Sequence, residues 1–109
     1  MLIIIYITGM SQYEIYSTKT FDAWIDRLKN TDTRVALLKY IDRMADGNLG
    51  NIRPVGDGVM ERKIDVGPGY RLYFTQVGTT ILVLLCGGDK STQQRDITRA
   101  KKLKSEVTL

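Results

Sequence analysis

The sequence predicts an α+β domain with two N-terminal helices packed on a small, mainly antiparallel twisted sheet, followed by a C-terminal helix. The prediction depends on three observations: two helical apolar stripes in the first half, closely spaced strand patterns from Val59 onward, and a polar helical segment after Gly88. A chain of 109 residues is long enough to bury one modest core without disulfide bonds or metals.

The first half of the chain predicts one strand and a helical hairpin. Residues 13–18 are rich in β-branched and aromatic side chains, and Thr20 can cap the first helix. Asp32 can cap the second helix, which is expected to end before Gly47. Both helices carry apolar side chains at i, i+3, i+4 and i+7. These are Phe21, Trp24, Ile25 and Leu28 in the first helix, and Leu37, Tyr40, Ile41 and Met44 in the second.

The second half predicts three successive strands. Residues 59–66 alternate between two faces, with Glu61 and Lys63 on one face and Arg62 on the other. A Gly-Pro-Gly turn leads into residues 70–77, and a second turn leads into an apolar strand. Because that last strand is apolar on both faces, we expect it to lie centrally in the sheet, covered on each side.

A final helix is expected just after Lys90, where Ser91 and Gln94 match a capping box. The basic excess of the chain is concentrated in this region. Residues 87–109 carry six basic and three acidic side chains, or +3, of a total net charge of +4. A polyanionic or acidic partner is therefore favoured.

The residue types present exclude several kinds of site. The chain contains no histidine and one cysteine, so neither a zinc site nor an intrachain disulfide is expected, and we predict no cofactor. Cys86 falls in an apolar run, which indicates a buried thiol rather than a reactive one. A single cysteine also fits the reducing cytoplasm.

The first nine residues, MLIIIYITG, differ in character from the rest. This apolar run is too short to span a membrane and lacks the basic start of a signal peptide, so no membrane contact is predicted. The segment could form an extra strand or an aggregation-prone tail. Because residues 13–18 already form a self-contained opening strand, we interpret residues 1–9 as an extension, Met10 as the natural start and residues 10–109 as a single domain.

Three cations in the second half are candidates for holding a phosphate. Lys63 and Arg71 lie on adjacent strands of one predicted hairpin, and Lys90 follows the central strand. Such a cluster can neutralise a phosphodiester and stabilise the added charge of its pentacoordinate transition state. A lysine beside other cations, or Glu61 on the same face, can accept a proton.

A structural interpretation of the same residues is also open. Glu61, Lys63 and Arg71 are able to pair with one another across a solvated sheet face. Tyr70 and Tyr73 are able to stack on a base or to donate a hydrogen bond. Tyr73 is also typical of a core position.

Three segments resemble a known protein family: GNLGNIRPVGDGVMERKI, GPGYRLYF and LLCGGDKSTQQRDI. Their order, spacing and glycines are similar to those of addiction-module killer proteins of the RelE/ParE superfamily, in the subgroup often grouped with HigB. These proteins are the toxins of type II toxin–antitoxin systems. The resemblance covers about residues 12–106 and implies a RelE-like form of the predicted α+β fold.

The resemblance implies a metal-independent endoribonuclease that cleaves mRNA, commonly in the ribosomal A site. In such enzymes a ribose 2′-hydroxyl attacks the adjacent phosphate, leaving a cyclic phosphate and a 5′-hydroxyl. By position, Arg71 matches the arginine that contacts the scissile phosphate. Lys63, with Glu61 beside it, matches the strand that supplies a base, and Lys90 matches a cation before the last helix.

The sequence departs from the family late in the chain. Where family members carry a tyrosine or histidine, this chain has Gln-Gln-Arg-Asp at residues 93–96. The general acid would then have to come from Asp96, Gln93 or Lys90. The residues expected to contact RNA are Arg62, Tyr70, Tyr73, Gln93 and Arg95.

The resemblance also implies partners. A cognate antitoxin from the adjacent gene, expected to carry a helix-turn-helix, would neutralise the toxin and bring it to operator DNA only as a complex. mRNA and the ribosome would be the targets, in the cytoplasm. Two alternatives remain: a ParE-like toxin that binds gyrase without nuclease activity, and an inactive regulator that binds its antitoxin.

Overall fold

In a computed structural model, a six-stranded mixed sheet lies between two layers of helices. The structure describes the backbone of residues 2–6 and all of residues 12–109. In chain order the elements are β1 Leu2–Tyr6, β2 Glu14–Thr18, α1 Lys19–Asp26, α2 Thr31–Ala45, β3 Ile52–Gly56, β4 Val59–Ile64, β5 Tyr70–Val77, β6 Ile81–Gly88, a 3₁₀ turn Lys90–Thr92 and α3 Gln93–Ser105.

The strands lie in the order β1-β2-β6-β5-β4-β3. β3 to β6 form an antiparallel meander, β1 pairs antiparallel with β2, and β2 runs parallel to β6. The prediction that the last strand is central and covered on both sides is confirmed. Residues of β6 face α1 and α2 on one side and α3 on the other, which explains why the strand is apolar on both faces.

The predicted arrangement of the fold is nevertheless wrong. Instead of a small, mainly antiparallel sheet carrying two N-terminal helices, the chain opens with two strands and builds a six-stranded mixed sheet. The parallel pair joins Glu14 to Ile81 and Ser17 to Leu84, residues far apart along the chain. Local periodicity reports which residues form a strand and not which distant strand is its neighbour.

α1 and α2 pack together on one face of the sheet. The predicted apolar stripes are confirmed, since Phe21 and Ile25 of α1 and Leu37, Ile41 and Met44 of α2 are buried. Their partners in the sheet are Ile15, Ile64, Leu72, Phe74, Leu82 and Leu84.

The caps of these two helices lie earlier than the sequence predicts. Thr18 caps α1, because its Oγ1 accepts a hydrogen bond from the backbone N–H of Phe21 at 3.1 Å, two residues before the predicted Thr20. Asn30 caps α2 in the same way, two residues before the predicted Asp32. Thr, Asn and Asp all cap well, so the residue types alone do not choose between neighbouring positions.

α3 packs on the other face of the sheet. Ile97 and Ala100 are buried there, in a second core with Val59, Tyr73, Val83, Leu85 and Cys86. Burial, with the nearby negative charge of Asp96, raises the pKa of the Cys86 thiol to about 12. The thiol is 1% exposed, which confirms the prediction of a buried rather than a reactive cysteine.

β1 pairs with β2 at one edge of the sheet. The predicted boundary after residue 9, with Met10 as the natural start, lies outside the described residues and stays a prediction. Among the helices that the structure describes, none is long and apolar enough to cross a membrane.

Candidate anion-binding site

The candidate site lies on the α3 face of β4 and β5, beside the first turn of α3. Lys63 and Arg71 are direct cross-strand neighbours, and Glu61 faces Tyr73 two residues further along. Because side chains alternate along a strand, all four project from the same face. The structure therefore brings together three of the residues that the sequence nominates for catalysis.

Glu61 is the centre of this cluster. Its side chain is 4% exposed. Oε1 accepts a hydrogen bond from Nε of Arg53 at 2.8 Å, and Oε2 accepts from the Tyr73 hydroxyl and from Nε2 of Gln93, each at 2.9 Å. Burial acts to raise the pKa of Glu61, but the hydrogen bonds from Arg53, Gln93 and Tyr73 outweigh it and lower the pKa. Glu61 is therefore an ionised carboxylate with both oxygens occupied, which makes it a poor general base.

Arg71 lies beside this carboxylate without a hydrogen bond to it. Its Nε is 3.8 Å from Oε2 of Glu61, and its side chain is 12% exposed. That Nε is buried and has no hydrogen-bond partner among the described residues. An anion from solvent could therefore reach Arg71 only through the exposed part of its guanidinium, whose planar fork suits bidentate binding.

Lys63 and Lys90 supply exposed positive charge at the same end of the sheet. Lys90 begins the 3₁₀ turn, two residues after Gly88, which faces Arg71 across β5 and β6. Asp89 caps this turn by accepting a hydrogen bond from the backbone N–H of Ser91 at 2.8 Å. The predicted cap on Ser91 is therefore wrong, because Ser91 lies inside a 3₁₀ turn that Asp89 caps, and α3 begins only at Gln93.

Asp96 is buried beneath the first turn of α3 rather than presented to solvent. Its side chain is 3% exposed and accepts a hydrogen bond from the Thr92 hydroxyl. It lies over Gly88, where the absence of a side chain makes room for the carboxylate. The structure does not offer Asp96 to a substrate as a general acid.

We expect Gly88→Ala to lower the free energy of unfolding by about 2 kcal/mol, as overpacking does in other cores. The added Cβ would overlap the Asp96 carboxylate and lie 2.7 Å from Oγ1 of Thr92. Urea unfolding measures the change, and Gln94→Ala, at an exposed position of α3, serves as the control with little effect. An unchanged unfolding midpoint in Gly88→Ala would contradict the packing of Asp96 against Gly88.

Two residues predicted to contact RNA lie on the opposite face of the sheet. Arg62 donates a hydrogen bond to the backbone carbonyl of Leu49, and its guanidinium lies 5.4 Å from the centre of the Tyr40 ring. Tyr70 packs edge-on against Trp24, with ring centres 6.1 Å apart. Both side chains therefore contact the α1 and α2 layer and not the cluster around Glu61.

The other three predicted RNA contacts lie on the α3 side but differ in exposure. Tyr73 is fully buried, so it cannot stack on a base. Burial and its hydrogen bond to Glu61 raise its pKa. Gln93 holds Glu61 through its amide. Arg95 is 73% exposed, with Nε 3.8 Å from Oδ1 of Asp96.

Sequence reasoning missed Arg53, which lies on β3 directly opposite Glu61. A signal was present in the hairpin formed by β3 and β4. Its turn contains Asp57 and Gly58, both with positive φ, and Asp-Gly is typical of a tight turn that sets the register of a hairpin. In that register Arg53 of β3 lies opposite Glu61 of β4, so the two side chains form a cross-strand pair.

The arrangement defines a chemical class of site. Arg53 and Arg71 lie within 4 Å of the Glu61 carboxylate, and Lys63 is the cross-strand neighbour of Arg71. These three cations outnumber the two carboxylates that act on them, Glu61 and Asp89, so the cluster favours an anion. Within the described part of the chain, no group of three or more acidic or cysteine side chains is placed to hold a metal ion. A cleft of about 490 Å³ near the C-terminal end of α3, beside Lys19 and Leu103, contains none of these residues.

The fold and the site together define the class of protein: a mixed sheet between two helical layers, with a cationic surface beside the first turn of α3 as a candidate anion-binding site. No protein-family model matches the chain. It is 45% identical over 96 residues to an uncharacterized protein of Haemophilus influenzae, an alignment that covers 88% of this chain and 97% of the relative. The chain therefore belongs to the same family as this Haemophilus influenzae protein.

Proposed function

We propose that this chain is the toxin of a type II toxin–antitoxin system of the RelE/ParE superfamily, and that it is a metal-independent endoribonuclease acting on mRNA. The observation that carries the proposal is the pair formed by Lys63 and Arg71. Nε of Arg71 is buried without a hydrogen-bond partner among the described residues, beside the ionised Glu61. A guanidinium held in this way matches the geometry of a phosphate oxygen acceptor.

In the proposed reaction the scissile phosphate lies against Arg71. The 2′-hydroxyl attacks the adjacent phosphorus and the bond from phosphorus to the 5′ oxygen breaks, leaving a 2′,3′-cyclic phosphate and a 5′-hydroxyl. Arg71 offsets the charge that develops on the phosphoryl oxygens, and Lys63 does so once it has accepted the proton of the 2′-hydroxyl. Stabilisation of this charge requires hydrogen-bond donors that are held in place. The Arg71 side chain meets this requirement because it is largely buried.

Lys63 and Lys90 are proposed to carry out the two proton transfers. Glu61 has both oxygens occupied by donors, so Lys63 is the group left to accept the proton of the 2′-hydroxyl. It does so as the neutral amine and becomes an ammonium in that step. Asp96 is buried and the amide of Gln93 is held by Glu61. Of the three residues nominated for the general acid, the exposed Lys90 is therefore the one proposed to protonate the leaving 5′ oxygen.

We further propose that the toxin acts in the cytoplasm, on mRNA at the ribosome. A cognate antitoxin with a helix-turn-helix, encoded by the adjacent gene, is proposed to hold the toxin inactive and to bring it to operator DNA. The net charge of +3 over residues 87–109 supports a polyanionic target.

Inducible expression followed by mapping of RNA ends tests the proposal. The expected result is growth arrest with new 5′-hydroxyl ends inside coding regions, and cleavage by the purified protein in the presence of EDTA. DNA damage with intact mRNA would identify a ParE-like gyrase toxin instead. Antitoxin binding with neither effect would identify an inactive regulator. Either of these two outcomes would overturn the nuclease proposal.

A further inference from the structure

The Glu61 carboxylate holds a guanidinium on each side of β4. Arg53 reaches it from β3 through Nε at 2.8 Å, and Arg71 lies on β5 with its Nε 3.8 Å away. The carboxylate itself cannot move freely, because the Tyr73 hydroxyl and the Gln93 amide both donate to its second oxygen. One buried anion thus sets the positions of two arginines.

We propose that Arg53 is a substrate-binding residue that contacts the RNA backbone at the phosphate next to the one held by Arg71. This inference rests on the proposed function. It assigns a binding role to a residue of β3 for which the resemblance to RelE/ParE toxins gave no role. It also makes Glu61 a positioning residue, which acts through the arginines rather than on the substrate.

The contacts of Arg53 differ from those of an ordinary surface ion pair. Ion pairs between two exposed side chains contribute little to the stability of a protein, partly because both side chains lose conformational freedom when they meet. Here the acceptor is 4% exposed and already fixed, whereas the Arg53 side chain is 58% exposed. Only Nε of Arg53 is engaged among the described residues. Its two terminal nitrogens, with four N–H groups, remain available to an acceptor from solvent.

The spacing of the strands indicates which phosphate Arg53 meets. Arg53 and Arg71 lie on strands separated by β4, and two strand spacings amount to about 10 Å. The Nε atoms of these two arginines lie on opposite sides of one carboxylate, 2.8 and 3.8 Å from its two oxygens. An RNA strand that crosses the sheet from β5 toward β3 can therefore place consecutive phosphates at Arg71 and at Arg53. Lys63, exposed on β4, lies along the same path.

The planar guanidinium also favours phosphate as the acceptor. Arginine binds phosphate through two parallel hydrogen bonds, and contacts to a phosphodiester backbone are independent of base sequence. The excess of positive charge in this cluster favours a polyanion such as a run of consecutive phosphodiesters.

The test is binding of a fluorescent single-stranded 2′-O-methyl oligonucleotide, which cannot be cleaved, measured by anisotropy across a range of salt concentrations. We expect Arg53→Ala to bind about 10-fold more weakly than wild type, as for loss of a charged hydrogen bond. We also expect its plot of log affinity against log salt to be shallower by about 0.7, the value for one single-strand phosphate contact. Arg53→Lys should restore the slope but only part of the affinity.

Arg27→Ala is the matched control, because it removes one exposed positive charge at the end of α1, on the other face of the sheet. If Arg53→Ala binds RNA as tightly as Arg27→Ala, with the same salt slope, the role of Arg53 is overturned. The proposed function still stands in that case, provided that the wild type binds and cleaves RNA. If the wild type neither binds nor cleaves RNA, both are overturned. Equal competition by polyglutamate would overturn the choice of RNA as the partner.

Thermal unfolding separates binding from folding in this experiment. A residue with only a structural role would lower the melting temperature of Arg53→Ala and leave the salt slope of the folded fraction unchanged, which would also overturn the inference. We expect the melting temperature of Arg53→Ala to fall below that of Arg27→Ala, because Oε1 of the buried Glu61 loses its donor. The salt slope of the folded fraction is therefore the deciding measurement.

Discussion

Arg71→Ala is expected to reduce RNA cleavage by at least about 100-fold, the loss typical of removing one fixed donor from a developing oxyanion. The physical reason is the setting of the side chain, which is 12% exposed and has its Nε beside Glu61 without a hydrogen bond. Single-turnover cleavage of a short RNA measures the chemical step separately from binding. Arg71→Lys should retain charge but lose the planar fork, and we expect it to recover only a small part of the rate.

The same variant is expected to remain folded. Without Arg71, Glu61 still accepts hydrogen bonds from Arg53, Tyr73 and Gln93, so its charge stays compensated. The melting temperature should therefore remain near the wild-type value, and growth arrest should be lost. Wild-type cleavage by Arg71→Ala would contradict the assignment, and so would a loss of toxicity that is explained by unfolding. Arg27→Ala again provides the control for loss of one positive charge.

Glu61→Ala is expected to lower the free energy of unfolding by about 3 kcal/mol. Removing one member of a buried polar network leaves its partners without an acceptor, and each such group carries a penalty of about 1–3 kcal/mol. The Tyr73 hydroxyl is fully buried and loses its acceptor, and Nε of Arg71 loses the carboxylate 3.8 Å away. Urea unfolding at neutral pH gives the change directly.

The stabilisation by Glu61 also depends on pH. Because the pKa of Glu61 is lower in the folded protein than its ordinary value, the unfolded chain binds more protons in acid. The contribution is fully present above the ordinary glutamate pKa of about 4.3, and it is lost as the pH falls through the lower pKa of the folded state. Glu61→Gln should therefore flatten the fall in stability below about pH 4.

Glu106→Gln is the control for this measurement, since Glu106 is exposed just after α3. It removes the same charge and should change neither the stability at neutral pH nor the acid profile. An acid profile of Glu61→Gln that matches the wild type would contradict the assignment of Glu61 as an ionised, fully hydrogen-bonded carboxylate.

The cluster could be predicted in part because strand alternation is a local property. The pattern of residues 59–66 assigned Glu61 and Lys63 to one face and Arg62 to the other, and the structure agrees. What each face contacts is not local. Arg62 lies under α2 beside Tyr40, and nothing in its own strand distinguishes it from a residue on an open surface.

Two further assignments depended on contacts between distant segments. Gln93 reaches Glu61 across 32 positions of sequence, so the amide that the sequence nominates for RNA is engaged inside the protein. Asp96 is buried over Gly88, although an aspartate in the first turn of a helix is usually solvated. In both cases the packing of α3 on the sheet decides what the side chain contacts.

The sequence by itself determined the elements of this protein: the amphipathic faces of α1 and α2, the alternation of β4, the apolar β6 and the buried Cys86. These features follow from the period of each element and from the burial preferences of its residues. Only the tertiary structure decided the order of the strands, the parallel pairing of β2 with β6, and the joining of Arg53, Arg71, Tyr73 and Gln93 around Glu61. Pairing and burial of distant residues depend on the packing of the whole chain, which no local pattern contains.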